Sequence, residues 1–296
     1  MLSILIPTYN YNISALVNEV YKQIKKLDVS FEILCYDDGS TDTSIIKANK
    51  EINKLDNTKY LLLEKNIGRS AIRNLLAKDA KSEWLLFLDA DVLPKHSNFI
   101  ATYFKSISKT SQVIYGGILY DKKKPDNNHL LRWVYGRERE ALPTNKRKKN
   151  TYLSFLTLNF LIKKEVFNQV TFDEEIPNLR HEDTLFSSHL KLKKMKVEHI
   201  NNPTYHLGLE TSSMFLKKSI ESVDALHLFL KQNLIPKNYT LITRVFFKLK
   251  GLKLHYLFAF IYKNFKGSFE KNLLSKKPSL YIFDLYRLSY LCFLYT

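Results

Sequence analysis

Four short apolar segments, at 2–6, 31–36, 60–63 and 84–88, alternate with amphipathic stretches, and this alternation is the strongest constraint on the fold. Leu16, Val20 and Ile24 recur at helical spacing between the first two segments. Strands separated by helices build a mostly parallel sheet covered on both faces. Ligands of such sheets sit beyond the carboxyl ends of the strands. Polar clusters follow each apolar segment here. The first leads into Pro7-Thr8-Tyr9-Asn10, and the second into Asp37-Asp38-Gly39-Ser40-Thr41-Asp42. Beyond the third lies Asn66-Ile67-Gly68-Arg69-Ser70-Ala71-Ile72-Arg73-Asn74, and the fourth ends in Asp89-Ala90-Asp91.

Asp89 and Asp91 stand two residues apart, so in extended chain their side chains point the same way. Two carboxylates in apolar surroundings repel each other. A hard divalent cation, completed by water and substrate phosphates, removes that cost. Downstream, His181-Glu182-Asp183 opens a helical pattern. Each cluster also has a plain reading. Asp, Asn and Ser cap helices and make turns, acids at a helix N-terminus stabilise it, and surface arginines are solvated.

The order, spacing and content of the first four motifs, with His181-Glu182-Asp183 following downstream, resemble the inverting glycosyltransferases of family 2, over roughly residues 1–210. The resemblance implies the GT-A nucleotide-diphospho-sugar transferase fold: an α/β domain with a mostly parallel central sheet flanked by helices. It also implies a nucleotide-sugar donor, expected to be a UDP-sugar, and Mn²⁺ or Mg²⁺ as cofactor. In its terms Pro7, Thr8, Tyr9 and Asn10 border the nucleotide base. Asp38 accepts from the uracil ring, and Asn66, Gly68, Arg73, Asp89 and Ala90 complete the donor site. Asp91 holds the metal, with Asp89 on the ribose or metal and His206 as third ligand. Asp183 is the base that deprotonates the acceptor hydroxyl, as such chemistry requires. His181 and Glu182 neighbour the acceptor. Trp133 and Asn159 are acceptor candidates too, although Trp133 and Tyr135 suit a core equally and Asn159 equally suits a satisfied core amide.

Ten of the seventeen net positive charges lie in residues 211–296, which hold 14 Lys and Arg against 4 Asp and Glu. Aromatic residues are frequent there too. Basic plus aromatic composition fits an interfacial membrane segment. The expected organisation is therefore a catalytic domain at 1–210 with a helical extension at 211–296. Within the catalytic domain, 1–110 is the nucleotide-binding half and 111–210 the acceptor half. Two cysteines, Cys35 and Cys292, give neither a disulfide framework nor metal-ligand spacing. No signal-peptide pattern precedes the first strand and no apolar run is long enough to span a bilayer. The expectation is a cytoplasmic enzyme, peripheral on the inner face of the membrane, acting on a lipid-linked glycan acceptor of surface polysaccharide synthesis. Two rivals are a sugar nucleotidyltransferase of similar fold and a basic nucleic-acid-binding protein. The first needs a Gly-rich basic loop that Pro7-Thr8-Tyr9-Asn10 does not supply, and the second shows no motif of its own, so no nucleic-acid partner is expected.

Beyond residue 90 the pattern is less regular. It predicts a helix from Pro94 to about Ser108, a strand at 113–119, and a mobile basic excursion over 121–150. It then predicts a strand at 152–160, helices at 163–170 and from 182 to about 195, and strand-like pieces at 197–200 and 204–207. From Ser212 onward it is helical.

Overall fold

The structure is a computed structural model that describes residues 1–175 and 180–296. Contacts divide it into two compact units. The first comprises 1–120, the described part of 141–178, and 182–208; the second comprises 121–140, the described part of 179–181, and 209–296.

The strands of the first unit are β1 (Leu2–Thr8), β2 (Phe31–Asp37), β3 (Thr58–Leu62), β4 (Trp84–Leu88), β5 (Val92–Pro94), β6 (Val113–Tyr115), β7 (Ile118–Leu119), β8 (Asn159–Lys163), β9 (Val197–His199) and β10 (Thr204–His206). They form a seven-stranded sheet in the order β3-β2-β1-β4-β8-β6-β9 and a three-stranded sheet in the order β5-β10-β7. β1 pairs in parallel with both β2 and β4, and β2 in parallel with β3. β8 runs antiparallel to β4 and β6. Strand order therefore reverses at β1: the chain steps outward through β2 and β3, then returns to the other side of β1 as β4. In open α/β sheets such a switch point, at the carboxyl ends of the strands, is where ligands bind.

Helices α1 (Ser14–Ile24), α2 (Thr43–Lys50), α3 (Arg69–Asp79) and α4 (Phe99–Ser106) connect the first strands. Leu5 and Phe87 pack into a core on one face of the sheet with Phe160 and Phe186. Ile4, Ile6 and Leu86 pack on the other with Val17, Val20 and Leu161. Burial on both faces explains why these strands read as unbroken apolar runs rather than alternating ones.

The helix predicted to open at Pro94 begins instead at Phe99. Pro94 closes β5, opposite Thr204 of β10. Proline is tolerated there because β5 is an edge strand. The strand predicted over 113–119 is two strands in different sheets. Gly116 and Gly117 break it: Gly117 takes a φ of +105°, and a Cβ on Gly116 would fall 2.3 Å from the Asn202 carbonyl oxygen. The strand predicted over 152–160 begins only at Asn159, as β8, and residues 152–158 form turns and coil; the register of β8 is set by β4, with Asn159 opposite Leu88 and Lys163 opposite Trp84.

The second unit is helical. α5 (Leu130–Tyr135) belongs to it, whereas α6 (Thr144–Arg147), α7 (Lys164–Phe167) and α8 (Glu182–Leu192) belong to the first. α9 (Ser212–Lys231), α10 (Leu241–Gly251), α11 (His255–Leu273) and α12 (Leu280–Phe293) complete it. Leu131, Leu216, Tyr262, Leu273, Phe283 and Tyr286 form one of its cores. Val223, Phe246, Ala259 and Leu291 form another. Residues 121–140, read from sequence as part of the acceptor half, thus cluster with the C-terminal helices.

Candidate active site

The polar clusters at the strand ends bind one another. After β1, the Asn10 backbone adopts a φ of +47°, a left-handed conformation that Asn tolerates. Its side-chain oxygen accepts from the backbone N–H groups of Thr41 and Asp42, and its own N–H donates to Ser40 Oγ at 2.6 Å. After β2, Asp37 accepts from the Ser40 N–H and the Tyr60 hydroxyl. Asp38 accepts from the backbone N–H groups of Ile67 at 2.7 Å and Gly68 at 3.0 Å. Burial raises the Asp38 carboxyl pKa, and those two donors work against the rise. Gly68 has a φ of +93°, which suits glycine, and precedes α3. Asp38 thus spends part of its acceptor capacity on the third motif; a carboxylate has further lone pairs for a ring N–H.

Arg73, on α3, joins three motifs. Its guanidinium is buried, and Nη2 donates to Asp89 Oδ1 at 2.6 Å. Nη1 lies 3.9 Å from Glu182 Oε1, and Arg69 Nη1 lies 3.4 Å from the same oxygen. Phe172 flanks the Arg73 guanidinium, 5.4 Å from its ring centre. Burial works against the Arg73 charge, and the carboxylates of Asp89, Glu182 and Asp183 more than offset it, holding its pKa above the ordinary value. From sequence alone either Arg69 or Arg73 could face a diphosphate; Arg73 has carboxylate partners, and Arg69 is the more exposed of the two. At the start of α8, Asp183 Oδ1 accepts from the Thr184 N–H at 2.7 Å.

Asp91 forms a second focus. Its Oδ2 lies 3.4 Å from His206 Nε2, at the end of β10. The Leu207 N–H donates to the Asp91 carbonyl oxygen at 2.8 Å, holding the two segments together. A Cβ on Gly208 would lie 2.2 Å from Asp91 Oδ2, so a side chain there would fill the space beside this carboxylate. Among the described residues, no three His, Cys, Asp or Glu side chains come together as a metal site. The pair of Asp91 and His206 nonetheless fits a hard cation that takes its other ligands from a diphosphate and water. Burial, together with the nearby Asp91, raises the Tyr11 hydroxyl pKa, and Tyr120 packs its ring 5.3 Å from that of His206. Tyr11, Tyr120 and Gly208 were not singled out from sequence. A tyrosine or glycine next to a motif carries no signal of its own; only the folding of β5, β7 and β10 into one small sheet brings Tyr120 to His206 and Gly208 to Asp91.

The remaining expected site residues have other surroundings. Asn159 is fully buried: its Nδ2 donates to the carbonyl oxygens of Gly117 and Asn202, and its Oδ1 accepts from Tyr103. Its amide is spent on the core, where it joins β8 to the Gly116-Gly117 break, rather than offered to an acceptor. Trp133 and His181 belong to the second unit. Trp133 Nε1 donates to the Asp121 carbonyl oxygen at 2.8 Å, and Arg137 sits 4.6 Å over its ring. His181 takes a φ of +80°, and burial, helped by Arg287, pushes its imidazole pKa down to about 3. Pro7 and Thr8 end β1, Tyr9 and Asn66 are exposed, and Ala90 is half-buried between the two aspartates.

This sheet, with its mostly parallel centre flanked by helices, is that of a nucleotide-diphospho-sugar transferase of the GT-A class. The Glycosyl transferase family 2 profile matches residues 3–171, and the chain belongs to that family. The glycosyltransferase GlyG of Streptococcus pneumoniae is 27% identical over 215 residues, covering 69% of each chain. The crystal structure of Staphylococcus aureus TarS 1–349 superposes with a TM-score of 0.51 at 24% identity, covering 75% of this chain and 64% of that one. TarS is a poly(ribitol-phosphate) beta-N-acetylglucosaminyltransferase, 40% identical over 93 residues that cover 30% of this chain and 16% of TarS; its 1–349 fragment has also been solved with UDP-GlcNAc. The mannosyltransferase PcManGT of Pyrobaculum calidifontis, solved with GDP-Man and Mn²⁺, has a TM-score of 0.55 at 15% identity, covering 78% of this chain and 64% of that one. Likeness at these structural identities is one of fold. The family sets aside a nucleotidyltransferase.

Proposed function

We propose that the protein is an inverting, metal-dependent glycosyltransferase that moves a hexosyl or N-acetylhexosaminyl group from a UDP-sugar to a hydroxyl of a lipid-linked glycan. The observation that carries this reading is the convergence of five sequence-separated motifs at the switch between β1 and β4. There, Arg73 ties Asp89 to Glu182 beside Asp183, and Asp91 faces His206. Asp183 takes the proton of the acceptor hydroxyl, whose oxygen attacks the anomeric carbon as the C–O bond to the diphosphate breaks on the opposite face. An α-linked donor thereby gives a β-linked product. Glu182 is held by Arg69 and Arg73 at the start of the helix that carries Asp183, which fixes where the base points. Asp91 and His206 are the residues that would hold Mn²⁺ or Mg²⁺, and such a cation offsets charge developing on the leaving diphosphate. Arg69, exposed above the network, is the better placed cation for that diphosphate. Acceptor delivery at the inner face of a membrane is the setting that fits a lipid-linked substrate.

The test is incubation with a panel of nucleotide sugars and Mn²⁺ while measuring donor hydrolysis, with UDP binding followed by calorimetry. The expected result is hydrolysis of a UDP-sugar above all others and UDP binding stimulated by metal. Asp91→Ala should remove that stimulation and His206→Ala should weaken it by less. Metal dependence unchanged in Asp91→Ala would overturn the metal assignment, and a preference for another nucleotide would overturn the donor.

A further inference from the structure

The corner between α10 and α11 is shaped to leave apolar side chains in water. The Leu254 N–H bonds back to the Leu249 carbonyl oxygen and the Lys253 N–H to that of Lys250, the paired bonds of a Schellman stop. Lys253 occupies the left-handed position at a φ of +58°, where glycine is the common choice. Around this turn Leu252, Leu254, Tyr256, Leu257 and Phe260 are 69%, 42%, 60%, 53% and 59% exposed. Ala259 and Tyr262, on the other side of α11, enter the cores of this unit. Five large apolar side chains within nine residues are a contiguous patch rather than scattered surface residues, and such patches mark a partner.

Charge says what kind. No acidic residue occurs between Asp224 and Glu270, while that stretch carries eight Lys and Arg. Lys248, Lys253 and Lys263 are exposed on or beside the corner. No described helix is long and apolar enough to cross a membrane. Apolar side chains rimmed by lysines, without a spanning segment, are the makings of an element that lies in a bilayer interface. A soluble polyanion would match the lysines but leave the five apolar side chains hydrated.

The geometry points to an anionic bilayer surface as the partner of this corner. Leu252, Leu254, Tyr256, Leu257 and Phe260 enter the headgroup boundary, and Lys248, Lys253 and Lys263 lie against lipid phosphates. The inference rests on the proposed function only in that a lipid-linked acceptor gives such a surface its use, and the two can fail separately.

The experiment is co-sedimentation of the full chain with vesicles of phosphatidylcholine, alone or mixed with phosphatidylglycerol, at low and high salt. UDP binding by calorimetry is followed in parallel. Wild-type protein should pellet with the mixed vesicles only and lose much of that binding at high salt. The triple variant Tyr256→Ser/Leu257→Ser/Phe260→Ser should lose about a hundredfold in vesicle affinity while UDP binding stays at the wild-type level. Leu252→Ser is a single, more conservative probe of the same patch and should lose a smaller multiple. Lys248→Glu/Lys253→Glu/Lys263→Glu should abolish the preference for phosphatidylglycerol, and Leu192→Ser, an exposed leucine of the first unit, should change nothing. Vesicle binding unchanged in both triple variants would overturn the inference. So would binding to inorganic polyphosphate, equal in wild type and the apolar triple variant, without vesicle binding. Loss of UDP binding with vesicle binding intact would count against the donor site alone.

Discussion

Arg73 and Lys253 are both cations, and their surroundings differ as the two units do. Arg73 is buried in the first unit against Asp89, with Glu182 and Asp183 close enough to hold its charge. Lys253 is exposed in the second, in a stretch with no acidic residue. The same contrast holds for apolar groups. The strands of the first unit are buried on both faces, whereas the second leaves leucines and aromatics in water at the α10–α11 corner. The first unit pairs its buried guanidinium with acids of its own motifs. The second keeps unspent charge and unspent apolar surface, which is what a contact with something outside the chain requires.

The most severe test of this contrast is Asp183→Asn. Transfer should fall by roughly 10²–10⁴-fold, the scale of general-base catalysis, while UDP binding and vesicle binding remain. Near-normal turnover, measured by release of UDP, would remove Asp183 from the mechanism.

Stability is the next test. Arg73→Met should cost about 2–3 kcal/mol, somewhat less than a fully buried pair because Asp89 keeps some contact with water. Lys253→Ala should change stability by less than about 0.5 kcal/mol, as solvated surface charges do. Urea midpoints decide it, and equal losses would break the comparison.

Acid should act on neutral histidines in both units. Burial is the main force holding His199 in the first unit down to about 4 and His181 in the second down to about 3, against an ordinary value of 6.5. His199 Nδ1 faces Arg147 and its Nε2 faces the Thr151 carbonyl oxygen, so the neutral ring, protonated on Nε2, is the form that fits. Below pH 6.5 the unfolded chain binds a proton that the folded chain refuses. The stability these groups contribute is complete above pH 6.5 and declines as pH falls toward 4 and 3. His199→Gln should flatten that decline, read from urea midpoints at a series of pH values; an unchanged slope would clear His199 of any part in it.

The smallest effect expected is at α10, where Thr240 Oγ1 accepts from the Thr243 N–H. Thr240→Ala should cost about 1 kcal/mol. If it also weakens vesicle binding, the shape of the corner matters as well as its composition.

Much of the first unit is legible in the sequence. The runs that became β1, β2, β3 and β4 are apolar because both their faces are buried, and each is followed by residues that favour turns and caps. Legibility fades after residue 90, where pieces of two or three residues, such as β5 and β7, owe their strand character to a partner rather than to their own composition. Pro94 reads as a helix start because proline favours that position, and only the edge pairing with Thr204 makes it a strand end.

Chemistry divides in the same way. Residue types and local spacing by themselves determined that acids, glycines and arginines stand at strand ends, because both strand periodicity and turn preference are local properties. That Arg73 turns to Asp89 and Glu182, that His206 reaches Asp91, and that Asn159 is consumed by the core were decided by tertiary structure alone. Those partners are separated by 16, 109, 115 and 42 or more positions in the chain. A side chain's charge state and direction depend on what is packed against it, and no local pattern carries that information.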